Sequence, residues 1–363
     1  MKRKWSLRLG AAVLCAVLLG SCGSTAAAPA ESTAPADPLT GQQLLYPEQR
    51  AAAVVIENTT DSTTQWGIGS ASVVLEAAAR ADTAPSLCLV YPSVSAMPTV
   101  GPVTLGQDLF WRLLSGQQVL PIQRGCDLYT RNFLDYWNLR AVDALETGRN
   151  AFTTGNTDWA SPLWCTNGQS VAKVLGSLSL SSALSEDPAE SADSTQEGDT
   201  SAVPTVPALL PQQTDGHLPD ADVADAAQAA VQFPSGSTTR FAYDTDTGTY
   251  GMLHHDGSPQ LDANTGIQAA FDNLLVLYSA STPRDDGRTL DYDLTMGGGL
   301  WLNGGHLWHI TWTQGTGSTF AFYDADGRPL RILSGRSYIA WLSSLTGEEV
   351  TVQDSAGNDL LQP

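Results

Sequence analysis

Residues 300–312 read Leu-Trp-Leu-Asn-Gly-Gly-His-Leu-Trp-His-Ile-Thr-Trp, and this stretch decides the fold of the second half of the chain. Asn303-Gly304 joins two apolar runs, and Asn-Gly in that setting is typical of a tight β-hairpin turn. Asp326-Gly327 makes a similar junction further along the chain. Residues 221–346 are therefore predicted to form a mainly antiparallel β domain.

The first half, residues 38–184, is predicted to be an α/β domain because short apolar runs alternate with helix-like segments. The predicted buried strands are Ala52–Ile56, Ser86–Tyr91 and Gln118–Ile122. The predicted helices are Ser70–Ala81, Gly106–Leu114 and Gln169–Leu180, the last of which is capped by Asn167. The predicted fold class of the chain is therefore α+β: an α/β N-terminal domain followed by a mainly antiparallel β C-terminal domain.

An acidic segment, residues 185–220, separates the two predicted domains. Its first part is rich in Ser, Ala, Asp and Glu and has no apolar periodicity. Such a composition cannot bury enough apolar surface to offset the entropy lost on ordering, so we expect a disordered linker or surface insertion. Residues 347–363 are predicted to be a C-terminal tail.

The N-terminus has the pattern of an export signal. Lys2–Lys4 is basic, and the apolar run Leu9–Gly20 is too short to span a bilayer, which needs about 20 apolar residues. The run ends in Leu19-Gly20-Ser21-Cys22, which looks like the lipobox of bacterial lipoproteins. We therefore predict a signal peptide at 1–21, diacylglycerol and fatty-acyl (palmitate) modification of Cys22, and a lipidated flexible tether at 22–37.

The charge of the chain limits its partners. The formal net charge is -20, and loss of residues 1–21, which carry four basic residues and no acid, would bring it to -24. A surface this acidic repels DNA and RNA, so nucleic acid is not an expected partner. The expected partner is the lipid bilayer, reached through acylated Cys22 on the extracytoplasmic face of the cell membrane. A cell-wall polymer or an envelope protein is a further candidate.

Short stretches in a fixed order carry a resemblance to a known family. In the first half they are Asp37–Gly41, Ala53–Asn58, Gln65–Ile68, Val73–Ala77 and Gly101–Val103. In the second half they are Tyr243–Asp244, Thr247–Tyr250, Leu261–Asp262, Thr265–Gly266, Asp286–Arg288, Ile310–Trp312, Phe322–Asp324, Gly327 and Gly335. Together they resemble the YerB-like lipoproteins, bacterial envelope proteins with an N- and a C-terminal domain of unknown function. The resemblance implies a fold and an envelope location but no activity. The basic, histidine-bearing surface common in that family is largely missing here.

The best candidate ligand site lies where the first predicted strand ends. Glu57 and Asn58 follow that strand, at the kind of sheet edge where α/β proteins place ligand sites. With Glu76 and Arg124 they could form a small pocket. The alternative is a solvated loop with capping side chains.

Other candidate sites have simpler structural explanations. His306 and His309 lie three apart on a strand and so diverge, and Asp244–Gly248 lacks the acidic residue that ends an EF-hand loop, so no metal site and no cofactor are predicted. Cys88, Cys126 and Cys165 have no histidine near them in residues 23–180, so we expect buried thiols or a single disulfide whose pairing stays open. Trp308 and Trp312 share one strand face and could stack on sugars, but a core role is favoured.

These patterns favour a non-catalytic binding or scaffolding role at the cell envelope. The alternative is a hydrolase or transferase that acts on cell-wall polymers through carboxylates such as Glu57 and Glu76. A deep cleft with two carboxylates about 5–10 Å apart would favour the enzyme. A groove-like apolar face would favour the binding protein.

Overall fold

The computed structural model describes residues 35–59, 64–156, 162–185, 205–216, 218–315 and 319–361. The predicted signal peptide, Cys22 and most of the predicted tether lie outside the described residues, as does the segment 186–204. Within the described residues, no helix combines the length and the apolar character needed to cross a bilayer.

The elements of the first half are short. Its strands are β1 Ala52–Glu57, β2 Val73–Ala77, β3 Ser86–Tyr91, β4 Leu120–Gln123, β5 Val142–Asp143, β6 Thr153–Thr154 and β7 Trp164–Cys165. Its α-helices are α1 Asp108–Leu113, α2 Leu128–Tyr136, α3 Ala144–Thr147 and α4 Gly168–Leu175. Its 3-10 helices are Ile68–Ser70, Ser115–Gln117, Gly148–Asn150 and Gly176–Leu178.

The second half consists of strands in the residues that the structure describes. They are β8 Gln212–Gln213, β9 Gln228–Gln232, β10 Thr238–Asp244, β11 Thr249–Leu253, β12 Ala270–Phe271, β13 Asn273–Ser279, β14 Ser281–Pro283, β15 Leu290–Tyr292, β16 Met296–Asn303, β17 His306–Gln314, β18 Phe320–Tyr323, β19 Pro329–Leu330, β20 Ile332–Leu333, β21 Ser337–Ser343 and β22 Glu349–Gln353.

One large mixed sheet runs through both halves. In the described part of the chain it has eleven strands, in the order β19-β18-β17-β16-β13-β21-β2-β3-β1-β4-β5. β21 lies at the junction: it pairs in parallel with β13 on one side and with β2 on the other. Ser337 at its start aligns with both Asn273 and Val73. Strands from both predicted domains therefore share a single hydrogen-bonded sheet.

Both faces of the central strands of this sheet are covered. Along β1, Ala52, Val54 and Ile56 pack into one hydrophobic core, while Ala53 and Val55 pack into the other, as the two-residue period of a strand requires. The first core lies against a five-stranded antiparallel sheet, β12-β11-β10-β9-β22. The second lies beneath α1 and contains the tryptophans of β16, β17 and β21.

The α+β class describes this fold, although strands dominate it more than expected. In the first half, β1, β2 and β3 pair antiparallel, and parallel pairing joins only β1, β4 and β5. The first half is therefore not a regular α/β layer. The second half is antiparallel apart from the parallel β13–β21 and β20–β8 pairs.

One predicted helix is wrong. The sequence predicts a helix over residues 70–81, but Val73–Ala77 is strand β2, preceded by the 3-10 helix Ile68–Ser70. All five residues of β2 are buried, and β-branched Val73 and Val74 favour a strand that is covered on both faces. By contrast, the Asn167 cap is confirmed, since its side chain accepts a hydrogen bond from the Ser170 amide at 2.8 Å.

The hairpin in residues 300–312 is confirmed, with its turn one residue later than predicted. Asn303 pairs with His306, so the two turn residues are Gly304 and Gly305. Both have positive φ angles, 57° and 79°, as a two-residue hairpin turn requires.

Part of the predicted linker is packed into the fold. Leu209 and Leu210 are buried, and β8 pairs with β20. The Leu209 amide donates to the carbonyl oxygen of Pro38, and its carbonyl oxygen accepts from the Phe320 amide. Disorder is therefore the wrong expectation for residues 205–216, because apolar side chains follow the acidic stretch.

Candidate functional site

Glu76 lies at the centre of a buried polar cluster. It stands on β2 with none of its surface exposed. Its Oε1 atom accepts hydrogen bonds from Asn58 Nδ2 at 2.6 Å and from Thr239 Oγ1 at 2.9 Å, and its Oε2 atom accepts one from the Tyr338 hydroxyl. Burial raises the pKa of Glu76 to about 7, although these three hydrogen bonds act in the opposite direction. The carboxyl group is therefore sealed from solvent and held by side chains from both halves.

Asn58 is fixed by a second buried amide. Gln65 Nε2 donates to the carbonyl oxygen of Glu57 at 2.8 Å and to Asn58 Oδ1 at 3.1 Å. Asn58 Nδ2 in turn faces both Glu76 and Thr239. The Asn58 side chain thus links the end of β1 to β2 and β10.

Glu57 and Arg124 are electrostatic neighbours at the ends of the parallel strands β1 and β4. Burial raises the pKa of Glu57, and the Arg124 charge partly offsets this. The Arg124 guanidinium lies 5.7 Å from the centre of the Trp164 ring. The structure thus brings Asn58 into contact with Glu76 and places Glu57 near Arg124. Because Glu76 has no exposed surface, it does not share an open cleft with Glu57.

Other candidates behave as structural groups. Asp244 accepts a hydrogen bond from the Asp246 amide at 2.9 Å, which is the Asx-turn geometry. His309 Nδ1 lies 3.1 Å from Asp222, whereas His306 packs against Trp308. In the described ranges, no group of three or more His, Cys, Asp and Glu side chains is arranged to hold a metal ion.

The cysteines and tryptophans named above lie mostly in the interior. Cys88, Cys126 and Cys165 are free thiols, and burial raises the pKa of each, to about 11 for Cys165. Trp308 stacks on Trp301 with ring centres 4.2 Å apart, and Trp312 is equally buried. These tryptophans build the core, so they cannot stack on a ligand.

Helix α2 presents aromatic side chains that the sequence analysis missed. Asp127 caps the helix by accepting a hydrogen bond from the Thr130 amide at 2.7 Å. Tyr129, Phe133, Tyr136 and Trp137, called here the α2 aromatic stripe, recur at one-turn spacing. Tyr136 is 81% exposed and Trp137 is 60% exposed. The spacing of these aromatics in residues 128–137 was the available signal.

A groove with a volume of about 500 Å³ lies beside this stripe. It is called here the α2 groove, and its lining residues come from α1, α2 and the β14–β15 hairpin: Asp108, Arg112, Tyr129, Asn132, Phe133, Thr282, Pro283, Arg284, Asp285 and Asp291.

Two arginines form an ion-pair network in the wall of the α2 groove. Arg284 lies 2.6 Å from Asp108 and 3.1 Å from Asp291, and Arg112 lies 2.7 Å from Asp291. The Arg284 guanidinium also covers the Tyr129 ring at 4.8 Å. These contacts fix α1, α2 and the hairpin relative to one another, so the groove is held in shape by its own charges.

Comparison with known proteins identifies the family. The N-terminal domain described as "Protein of unknown function (DUF3048)" matches residues 39–180, and the C-terminal domain of the same family matches residues 229–339. The chain belongs to the DUF3048 family. Together the two matches cover well over half of the chain, and they confirm the YerB-like resemblance.

Relatives of the DUF3048 chain agree with this assignment. A Bacillus subtilis (strain 168) protein named "Putative lipoprotein YerB" is 25% identical over 358 residues, covering 96% of this chain and 98% of its own length. The crystal structure of YerB from Bacillus subtilis superposes with a TM-score of 0.70 at 20% identity, covering 87% of this chain and 99% of that one. The structural likeness shows the fold.

Three of the stretches that resemble the DUF3048 family, Gln65–Ile68, Leu261–Asp262 and Gly335, lie at one seam between the two halves. Asp262 is fully buried and accepts hydrogen bonds from the amides of Gly67 and Gly69 at 3.1 and 2.8 Å. Next to Gly335, Arg336 donates to the carbonyl oxygens of Ile68, Ala71 and Ala270. These stretches therefore maintain the contact between the halves.

Proposed function

We propose that this protein is a lipid-anchored binding protein of the bacterial envelope, exported through residues 1–21 and held at the extracytoplasmic face of the membrane by acylated Cys22. The lipobox-like residues 19–22 support this location, as does a relative whose name includes "lipoprotein". Two or more acyl chains would hold a protein stably at a bilayer.

The observation that carries a binding role is the α2 aromatic stripe beside the α2 groove. Single exposed apolar residues are normal on a protein surface, but grouped aromatic rings next to a shaped groove mark interaction sites. Tyr136 and Trp137 are largely exposed, and they sit at the end of a helix whose Tyr129 ring packs against Arg284 of the groove. A rigid, exposed aromatic surface suits recognition of a ligand.

The polar cluster at Glu76 has a supporting role in this proposal. Its carboxyl group has no exposed surface and accepts three hydrogen bonds, so a polymer in solvent cannot reach it. A glycosidase needs two carboxylates on either side of the scissile bond. We therefore assign Glu76 and Asn58 to the stability of the fold and leave Glu57 and Arg124 as a secondary ligand position at the sheet edge.

The anchor is tested by replacing Cys22. In the native bacterium, the Cys22→Ala protein should leave the membrane fraction because it cannot carry acyl chains. Cys15→Ala, a second cysteine of the leader, is the matched control and should remain anchored. Membrane fractionation and mass spectrometry of the amino terminus give the result. A Cys22→Ala protein that is still acylated and retained would contradict the anchor.

The binding role is tested with the tethered protein. Wild type, recovered from its native membrane after mild crosslinking, should carry an envelope component that the Tyr136→Ala/Trp137→Ala variant loses. Ile267→Ala, an exposed apolar residue elsewhere, should retain it. The purified chain should release no new reducing ends from cell-wall polymer. If wild type does release reducing ends and Glu57→Gln abolishes this release, the hydrolase alternative would be established instead.

A further inference from the structure

We infer that the α2 groove and the α2 aromatic stripe together form a saccharide-binding site, which takes a neutral stretch of an envelope polysaccharide chain. The inference rests on the binding role proposed above and names the class of ligand.

The aromatic stripe suits a chain of sugar rings. One face of a pyranose ring presents C–H groups, which pack against an aromatic ring, while its hydroxyl groups point outward from the edge. The ring centres of Phe133 and Trp137 lie 6.4 Å apart, and those of Tyr136 and Trp137 lie 5.2 Å apart, so these three rings adjoin one another. Tyr129, one face of whose ring is covered by Arg284, extends the stripe to about 12 Å along the helix. An extended ligand of more than one ring fits this length.

The α2 groove beside the stripe supplies polar side chains that could hydrogen-bond to the hydroxyl groups of a sugar. Its volume of about 500 Å³ falls within the range of small-ligand sites, which are usually lined mainly by apolar side chains. Seven of the ten lining residues here are polar or charged. Asn132, Thr282 and Asp285 line the groove with exposed side chains that make no hydrogen bond to another part of the described chain. An amide, a hydroxyl and a carboxylate together can donate to and accept from vicinal sugar hydroxyls.

The charge of the site favours a neutral ligand. Arg112 and Arg284 are already paired with Asp108 and Asp291, so they offer little free positive charge to a phosphate or carboxylate polymer. The formal net charge of -20 also repels polyanions at longer range. An uncharged polyhydroxyl chain needs no free positive charge and is not repelled by the negative charge of the protein.

A protein partner fits these observations less well. The centre of a protein–protein interface is depleted in charged residues, whereas the α2 groove has five charged side chains in its wall. Rings at one edge and hydrogen-bonding groups in the adjacent groove correspond to the two sides of a sugar.

The inference is tested with the full chain, purified in mild detergent and titrated with a β-1,4-linked N-acetylglucosamine tetramer. Sedimentation with purified peptidoglycan is the second assay. Wild type should bind both probes. Trp137→Ala and Tyr136→Ala should each weaken binding at least tenfold, Asn132→Ala and Asp285→Ala should weaken it severalfold, and Trp137→Phe should retain most of it. Ile267→Ala should bind like wild type, and thermal melts would show that every variant is folded.

The outcomes separate this inference from the proposed function. Absence of binding to both probes, or unchanged binding in the folded Trp137→Ala and Tyr136→Ala variants, would overturn the saccharide site. If an envelope protein is then captured by wild type and lost by the stripe variants, the binding role stands and its ligand is a protein. If nothing is captured either, the binding role fails as well.

Discussion

At the scale of single residues, Glu76 is an ionisable group enclosed in the core. Its folded-state pKa of about 7 lies above the ordinary value of 4.5. Between these two pH values the folded state binds more protons than the unfolded state, so stability falls as pH rises from about 4.5 to about 7 and then levels off. The shift corresponds to about 3 kcal/mol.

We predict that Glu76→Gln removes this contribution. The amide has the same shape and can keep the contacts with Asn58 and Thr239, while the Tyr338 hydroxyl can accept from it. Urea unfolding at pH 5, 6, 7 and 8 should show that the free energy of unfolding of the variant depends less on pH than that of wild type. The stability of the variant relative to wild type should therefore increase as pH rises. Glu57→Gln is the comparison, because Glu57 is only half-buried and its raised pKa is offset by Arg124. Parallel wild-type and Glu76→Gln profiles would contradict the assignment.

The sequence predicted which residues lie near Glu76 but not that Glu76 is enclosed. Glu57 and Asn58 were placed at the end of a strand by the apolar run before them, and that end is where Glu76 and Arg124 meet them. The enclosure of Glu76 depends on Thr239 and Tyr338, which lie more than 160 residues away along the chain. Local sequence patterns carry no information about contacts over such distances.

At the scale of elements, the two turn glycines of the β16–β17 hairpin differ in the space available for a side chain. A Cβ atom on Gly305 would lie 2.9 Å from the Tyr243 ring, whereas one on Gly304 would have no neighbour closer than 3.9 Å. Both residues have positive φ. Gly305 therefore supplies a close approach as well as a left-handed conformation.

We predict that Gly305→Ala destabilises the fold by about 2 kcal/mol, because strain and a steric clash add together. Gly304→Asn should cost less than about 1 kcal/mol, since Asn tolerates positive φ and the space is open. Guanidinium unfolding of the two variants provides the comparison. Equal losses in both would mean that the approach of Tyr243 has no energetic consequence.

Elements with a clear sequence signal could be predicted, whereas β2, which is buried on both faces, could not. The hairpin was identified from two apolar runs and their glycines, and α4 from its Asn167 cap. The sequence of β2 predicts a helix as readily as a strand, because a short, fully apolar run has no periodicity to distinguish the two. Helix α2 was missed because Thr130 and Leu134 are its only buried residues, which gives a weak amphipathic pattern despite its aromatic spacing.

At the scale of the whole molecule, β21 makes the two halves depend on each other. It is buried along its full length and pairs with β13 and β2 at once. Asp262 and Arg336 add hydrogen bonds across the same seam. Sequence composition suggested separate domains because the acidic segment divides the chain, but composition does not report which strands pair.

We predict a single cooperative unfolding transition for residues 35–361. Tryptophan fluorescence reports mainly on the core beneath α1, and far-UV circular dichroism reports on all strands, so coincident midpoints are expected. Residues 35–184 expressed alone should fail to fold, because β2 would lack its β21 neighbour. Two separated transitions, or a folded N-terminal fragment, would show that the halves are independent.

The position of β21 also bears on the proposed export of the chain. An exported chain crosses the membrane as an extended thread with its amino end leading. On that route β2 would emerge well before Ser337–Ser343, the strand that must lie beside it. The central sheet could not close until Ser337–Ser343 had also crossed. The topology itself would thus delay folding and keep the chain competent for translocation until that strand arrived.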